Sequence, residues 1–289
     1  MRLLVTGGSG FTGRHLLRAA LGAGHEVTAV VRSAAAARTV EALGATAVPG
    51  DLDDPASLDA AFATPADALL NIASLGFGHA PAIVAAAEDG GLRRAVFVST
   101  TAVTTALPAP SKRVRLAAEE TIRRSALDWT ILRPTMIYGA AGDRNLSRLL
   151  SVLRRTPVLP LPGGGNRLQQ PVHVEDLSAA LLSAVSTERS VGRTYTIAGP
   201  DPLPFRELVQ QSGRAVGRAP RLVSIPLRPT IALLRLYEQA APHPRLKAEQ
   251  LERLAEDKAF TIDEAARDFG YAPRPFADGI AAEAAALGR

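Results

Sequence analysis

Cysteine is absent from the 289-residue chain, which excludes disulfides, thiolate chemistry and Cys-ligated metals. Lysine is almost absent, at positions 112, 247 and 258 alone, so nearly all of the 33 basic residues are Arg. Those arginines are scattered, with no basic run interleaved with aromatics and no nucleic-acid-binding motif. The formal charge of +5 and pI near 10.0 therefore read as Arg-rich composition rather than a nucleic-acid surface. No apolar run reaches the roughly 20 residues that a membrane helix needs. Met1 leads directly into an apolar strand, leaving no room for a signal peptide. The expectation is a cytoplasmic protein that handles a small molecule and binds neither nucleic acid nor membrane. A hydrophobic content of 47% and a charged content of 21% are ordinary for a folded soluble chain. The length suits one large core, or one domain with a smaller cap.

What is present begins at residue 7. Gly7-Gly8-Ser9-Gly10-Phe11-Thr12-Gly13 follows the strand-like Arg2–Thr6 and precedes a helical pattern, His15–Ala23, with apolar Leu16, Leu17, Ala20 and Leu21. A strand, a glycine turn and a helix in that order describe a dinucleotide pyrophosphate site. Gly7 permits the tight turn, Gly10 lets the backbone approach the phosphates, and Gly13 lets helix and strand pack closely. The N–H groups at the helix start, among them those of Phe11 and Thr12, face the negative charge.

Downstream, short apolar strands alternate with helices. The strands are Glu26–Val31, Ala45–Val48, Ala68–Ile72, Ala95–Ser99 and Trp129–Arg133; the helices include 34–43, one from Pro55, 81–88 and 113–125. This pattern predicts an α/β fold, a Rossmann-like doubly wound parallel sheet covered on both faces. Ligands in such sheets sit at the carboxyl ends of the strands, which places Gly7, Arg32, Asp51, Asn71, Ala73, Ser99, Thr101 and Pro134 around one crevice. After Gly139 the chain turns Pro-rich, with a loop over Pro157–Pro162 and Gly163–Gly165 and helices over 146–154, 175–185, 205–216, 230–240, 246–256 and 276–287. Residues 1–140, completed by about 172–198, are expected to form the dinucleotide-binding domain. Residues 141–171 and 199–289 are expected to form a smaller, mainly helical substrate-binding cap.

Four segments in this order resemble the short-chain dehydrogenase/reductase superfamily, in its extended and atypical branches that include sugar-nucleotide epimerases and reductases. They are Thr6–Gly13, Gly50-Asp51-Leu52, Leu132–Gly139 with Arg-Pro at 133–134, and Pro171-Val-His-Val-Glu-Asp-Leu177. The resemblance implies a nicotinamide dinucleotide across the sheet, with Asp51 and Leu52 flanking the adenine, and substrate between sheet and cap. Read without it, Asp51 is a cap for the next helix. Dimers built through two helices are common in that family. NAD-preferring folds place an acidic residue at the end of the second strand; here that strand ends Val30-Val31-Arg32-Ser33. Arg32, with Arg14 just after Gly13, offers planar cations to a 2′-phosphate. One charge-assisted hydrogen bond favours NADP(H) by roughly ten- to a hundredfold, so NADP(H) is the expected cofactor.

The superfamily's catalytic Tyr, with Lys four residues later, is missing. None of Tyr138, Tyr195, Tyr237 and Tyr271 has a Lys at that spacing. Aligned through Glu119, the long helix carries Ser111 in the Tyr place and Arg115 in the Lys place. Arg115 can bind ribose hydroxyls but cannot transfer a proton near neutrality. The strand-five hydroxyls Ser99-Thr100-Thr101 supply the second catalytic position, with Thr101 as the match. Tyr138, Lys112 and His79 are the candidates to replace the tyrosine; His173 reads as packing. His79, in the loop after strand four, is expected to border the nicotinamide.

The leading expectation is an NADP(H)-dependent reductase acting on a carbonyl of a small metabolite, sugar-linked or secondary. A sugar-nucleotide epimerase or dehydratase is one alternative, and a non-catalytic NADP(H)-binding redox sensor or assembly factor is another. The 228–241 segment reads as a cap helix, with a membrane-surface role as its rival.

Overall fold

The computed structural model describes residues 1–107, 110–140, 143, 145–241 and 248–287. In chain order, the first elements are β1 (Arg2–Thr6), α1 (Phe11–Gly22), β2 (Glu26–Val31), α2 (Ala34–Glu41) and β3 (Thr46–Pro49). Next come α3 (Pro55–Phe62), β4 (Ala68–Asn71), α4 (Ala80–Asp89), β5 (Arg94–Val98), α5 (Pro110–Arg124) and β6 (Asp128–Pro134). Then follow β7 (Ile137–Tyr138), α6 (Leu146–Arg155), β8 (Val158–Pro162), β9 (Leu168–Gln169), β10 (Val172–His173), α7 (Val174–Val185) and β11 (Arg193–Ile197). The chain ends with β12 (Leu203–Pro204), α8 (Phe205–Ala215), β13 (Arg221–Ile225), α9 (Leu227–Ala240), α10 (Ala248–Leu254), α11 (Asp263–Phe269) and α12 (Phe276–Ala286).

Two units result. The first comprises Met1–Thr135, Val174–Ala198 and Thr261–Ala272. Its seven strands lie in the order β11-β6-β5-β4-β1-β2-β3, and every pairing is parallel. This is the expected doubly wound α/β sheet. The Leu-Val-Ala runs of β1, β4 and β5 are buried almost throughout, because both faces are covered. Helices α1 and α7 pack together, as do α3 with α4 and α4 with α5. Leu58, Phe62, Ile83, Phe97, Ile122 and Ile131 form the core beneath α3, α4 and α5. The strand order reverses between β1 and β4, the switch point at which ligands bind such sheets.

Helix α1 starts at Phe11, four residues before the apolar periodicity becomes visible, since its first turn is part of the glycine motif. The sequence reading missed α11, although Asp263 and Glu264 in its first turn and the left-handed Gly270 at its end are ordinary helix signals. The helix is fastened to the edge strand by Tyr195, whose hydroxyl donates to Asp268 Oδ2 at 2.8 Å. That hydroxyl titrates far above its usual range, mainly through burial and then through the Asp268 hydrogen bond.

The second unit holds Met136–His173, Gly199–Phe260 and Pro273–Arg289. Helices α6, α8 and α12 supply its core, Leu146, Leu150, Leu208, Phe276 and Ile280 around Tyr138. The segment expected as a loop over Pro157–Pro162 is instead β8, paired in parallel with β13 from Val158↔Arg221 to Pro162↔Ile225. Pro160 and Pro162 are two residues apart, so their missing N–H groups share one edge and the other edge still pairs. The helix expected over 246–256 is α10; Leu246 and Lys247 lie outside the described residues. Among the described residues, no helix is long and apolar enough to cross a membrane.

Candidate functional site

At the carboxyl end of β1 the chain turns at Gly7, whose φ is +73°. A Cβ there would stand 2.7 Å from the backbone N of Ala73, beyond β4, so only glycine allows the two strand ends to meet. A Cβ on Gly13 would lie 2.2 Å from the Gly7 carbonyl oxygen and 2.7 Å from Gly8 Cα. No side chain fits, and the first turn of α1 is pressed onto the glycine loop. Gly10 caps the helix without any side-chain hydrogen bond. The first N–H groups of the helix are therefore left to a ligand, as an anion-binding helix start requires. These features fit a dinucleotide's pyrophosphate.

The ends of β2 and β3 enclose a cleft of about 450 Å³, lined by Arg32, Ser33, Gly50, Asp51, Asp54 and Ser57 among others. Arg32 is exposed at its rim; neither it nor Arg14 forms an ion pair among the described residues. Asp54, not Asp51, caps α3 by accepting from Ala56 N at 3.2 Å, which corrects the capping expectation. Pro55 in the first turn marks Asp54 as the cap position. The Asp51 backbone N–H donates to Ser57 Oγ at 2.8 Å, and the Asp51 carboxylate accepts Asp53 N–H at 3.1 Å. Leu52 packs partly buried against the α3–α4 core.

At β4 the fully buried Asn71 accepts from Thr6 Oγ1 at 2.6 Å and donates to the Ala73 carbonyl at 3.1 Å. It fixes the two loops that form the switch point. The next turn, Leu75–Phe77, carries Phe77 at 77% exposure. His79 is bonded to Asp53 Oδ1 at 2.8 Å, which ties this loop to the one after β3. The imidazole expected beside the nicotinamide thus faces the β3 loop.

The ends of β5 and β6 are polar and crowded. Ser99 Oγ donates to Glu119 Oε1 at 2.6 Å. Glu119, with no exposed surface, also accepts from Arg133 Nε at 2.9 Å and from Arg123 at 2.7 Å. Burial alone would raise its carboxyl, but Arg133, Ser99 and Arg123 together hold it below the ordinary glutamate value. Thr101 is buried and donates to the Pro134 carbonyl at 3.3 Å. Lys112 Nζ donates to the Thr105 carbonyl at 2.6 Å. Arg115 lies against Gly76, and its Nη1 reaches the Ser111 carbonyl at 3.5 Å. The sequence reading used Glu119 only as an alignment mark; Arg123 one turn later was the single local sign of its partners. Gly76 and Phe77 went unnoticed, because nothing local singles them out.

Tyr138 and His173 belong to the second unit. Tyr138 is 1% exposed and stacks edge-on against His173 at 5.2 Å. His173 in turn fills the space over Gly139, where a Cβ would stand 2.2 Å from its Nε2. Both are packing residues of that unit. Among the described residues, no cluster of His, Cys, Asp or Glu is arranged to hold a metal.

Residues 7–151 match the profile of a family described as NAD(P)H-binding. This chain belongs to that family. The NAD(P)H-binding match spans the glycine turn, the β2–β3 cleft and the whole β4–β6 edge. The chain is 29% identical to the 2-alkyl-3-oxoalkanoate reductase of Stenotrophomonas maltophilia (strain K279a), over 95% of each chain. It is 30% identical to the ceramide reductase of Caulobacter vibrioides (strain NA1000 / CB15N), over 77% of this chain and 73% of the relative. A UDP-glucose 4-epimerase of Thermotoga maritima superposes with a TM-score of 0.76 at 15% identity, over 100% of this chain and 99% of the other. The NAD(P)H-binding sheet is thus set in a fold shared over the whole chain with that of a solved sugar-nucleotide epimerase.

Proposed function

We propose that this chain is an NADP(H)-dependent reductase of a carbonyl group on a small, sugar-linked or secondary metabolite. The observation that carries the cofactor choice is the β2–β3 cleft, where Arg32 stands at the strand end that NAD-preferring folds give to a carboxylate. Gly7, Gly10, Phe11, Thr12 and Gly13 hold the pyrophosphate, and Arg14 and Arg32 take the 2′-phosphate. Asp51 and Leu52 border the adenine; Asn71, Ala73, Ser99 and Pro134 border the remainder. The reductase relatives support the direction of the reaction.

Held by the glycine turn and the β2–β3 cleft, NADPH would supply a hydride to the carbonyl carbon. The π electrons move to the oxygen, and a proton from water completes the alcohol. This chain's residues orient and polarise the acceptor, which is most of what hydride transfer asks of a protein. The Thr101 hydroxyl and the Arg115 guanidinium stand, by alignment, in the superfamily's Ser/Thr and Lys places. Lys112, His79 and Tyr138 are held by other partners and play secondary parts at most. A second reading, sugar-nucleotide epimerisation or dehydration, is favoured by the whole-length fold shared with the UDP-glucose enzyme and by the Pro171–Leu177 segment.

The test is NADPH oxidation against keto-sugars, ketones and 3-oxo acids, alongside NADPH and NADH titrations of the wild type and Arg32→Ala. Net oxidation and an NADPH preference that falls roughly ten- to a hundredfold in Arg32→Ala are expected. Conversion of a UDP-sugar without net oxidation decides for epimerisation. Tight binding without any turnover decides for a sensor. Equal NADH and NADPH affinities in the wild type reject the phosphate role of Arg32.

A further inference from the structure

The strands that lead into the Asp53 and His79 loops are not neighbours. β1 and β2 lie between β4 and β3 in the sheet, an interval of about 14 Å at ordinary strand spacing. Yet His79 Nε2 stands 2.8 Å from Asp53 Oδ1, because α3 and α4, which the two loops enter, pack together. The bond therefore spans the carboxyl ends of β1 and β2, which bear the glycine turn and Arg32. Its polarity is fixed. His79 Nδ1 is buried and has no hydrogen-bond partner, so it keeps its lone pair and Nε2–H donates to the carboxylate.

Each end of the bond is anchored. His79 is the cap residue of α4, and its carbonyl accepts Ile83 N–H at 3.0 Å. Asp53 lies in the loop between β3 and α3, whose other bonds are short-range. Gly50 N–H donates to the Val31 carbonyl and Asp54 N–H to the Asp51 carbonyl, both at 3.0 Å. Asp51 and Asp54, which bracket Asp53, line the β2–β3 cleft together with Arg32. The same two loops meet again below the bond, where Leu52 packs on the core cluster that holds Leu75 and Ala80. One wall of the cleft is thus tied to the start of α4 by a polar bond and an apolar contact.

From this geometry we infer that His79 and Asp53 are a positioning pair for the adenosine half of the dinucleotide. Their bond places the Asp51–Asp54 wall and so sets the width of the cleft that receives that half. Neither side chain lines the cleft, so the pair acts through the wall. Holding a loop in its binding conformation lowers the ordering cost of binding. The inference rests on the reading of the cleft as the cofactor's adenosine site. It depends neither on the reaction that follows nor on a 2′-phosphate.

Titrations of NADPH by fluorescence and of 2′-phospho-ADP-ribose by calorimetry test it without turnover. His79→Ala should weaken both ligands by the same factor, about tenfold. That is the lower end of what a hydrogen bond to a charged group supplies, since the Asp53 side chain is 70% exposed. Asp53→Ala should match it, and the double variant should lose no more than either single one. Asp53→Asn, which keeps the acceptor, should retain most of the affinity. Unchanged affinity in His79→Ala, additive losses in the double variant, or a loss confined to the whole dinucleotide overturns the inference. A wild type that prefers NADH rejects the NADP(H) reading alone, and the same comparisons with NADH and ADP-ribose then judge the pair. A wild type that binds neither dinucleotide overturns both.

Discussion

The carboxyl edge of the seven-stranded sheet is built by two different means at its two ends. At β1 the site is made by exclusion: the Gly7 carbonyl stands where a side chain on residue 13 would have to be. At β5 and β6 it is made by pairing: Ser99, Glu119, Arg123 and Arg133 satisfy one another, and Thr101 donates to a backbone carbonyl. Exclusion leaves backbone N–H groups for a ligand and tolerates no substitution. Pairing fixes the local structure but leaves few catalytic groups at hand. The result is a bare backbone turn at β1 and a mutually satisfied polar cluster at β5 and β6.

The sharpest way to break the contrast is Gly13→Ala. Even a methyl group overlaps the Gly7 carbonyl, so NADPH affinity should fall by about a hundredfold or more by fluorescence titration, as overpacking displaces the loop. The corresponding change at the other end is Glu119→Ala, which leaves Arg133 beside an emptied, buried position. A loss of about 3–5 kcal/mol in urea unfolding is expected, with dinucleotide affinity in the still-folded fraction much less affected. Equal effects of the two variants on binding would erase the distinction between the ends.

A second buried glutamate sharpens what the pairing contributes. Glu283, in the second unit, is also without exposed surface, but it accepts from the uncharged donors Ser147 Oγ at 2.8 Å and Gly139 N–H at 3.1 Å. Burial pushes its carboxyl up to about 8; Ser147 opposes this, and the neighbouring Asp143 adds to it. The two glutamates therefore give stability opposite pH slopes. Glu119 contributes above the ordinary value near 4.5, and its contribution is lost as pH falls through its lowered folded value. Glu283 contributes fully below about 4.5, and its contribution is lost as pH rises toward about 8. Glu283→Gln should flatten the decline of stability between pH 5 and 8, a slope of up to about 1.4 kcal/mol per pH unit. Denaturant midpoints that decline in parallel for wild type and variant would show that this carboxyl does not hold its proton in the folded protein.

Much of the first unit was readable from residue order. The glycine turn, the five strand–helix alternations and the basic end of β2 are all local patterns, and each stands where the patterns put it. Asp54 is readable as the cap of α3 too, since it immediately precedes Pro55; the cap was Asp51's part only in the alternative to a place beside the adenine. Other features were not legible. The pairing of β8 with β13 joins residues about 60 apart, across a stretch whose prolines argue for a loop. The clasp of His79 on Asp53 joins two loops that lie beside each other only because α3 and α4 pack together. Arg115 on Gly76 is of the same kind.

What the sequence determined by itself was the class of the fold and the place of the glycine turn. Both follow from periodicity and from residues that act through their own backbone. Only the tertiary structure decided where the polar side chains of β4, β5 and β6 point and which of them are already engaged. A side chain's chemistry depends on its neighbours, and those neighbours come from distant strands. That no Tyr has a Lys four residues later was visible in the sequence; the cation laid across Gly76 was not.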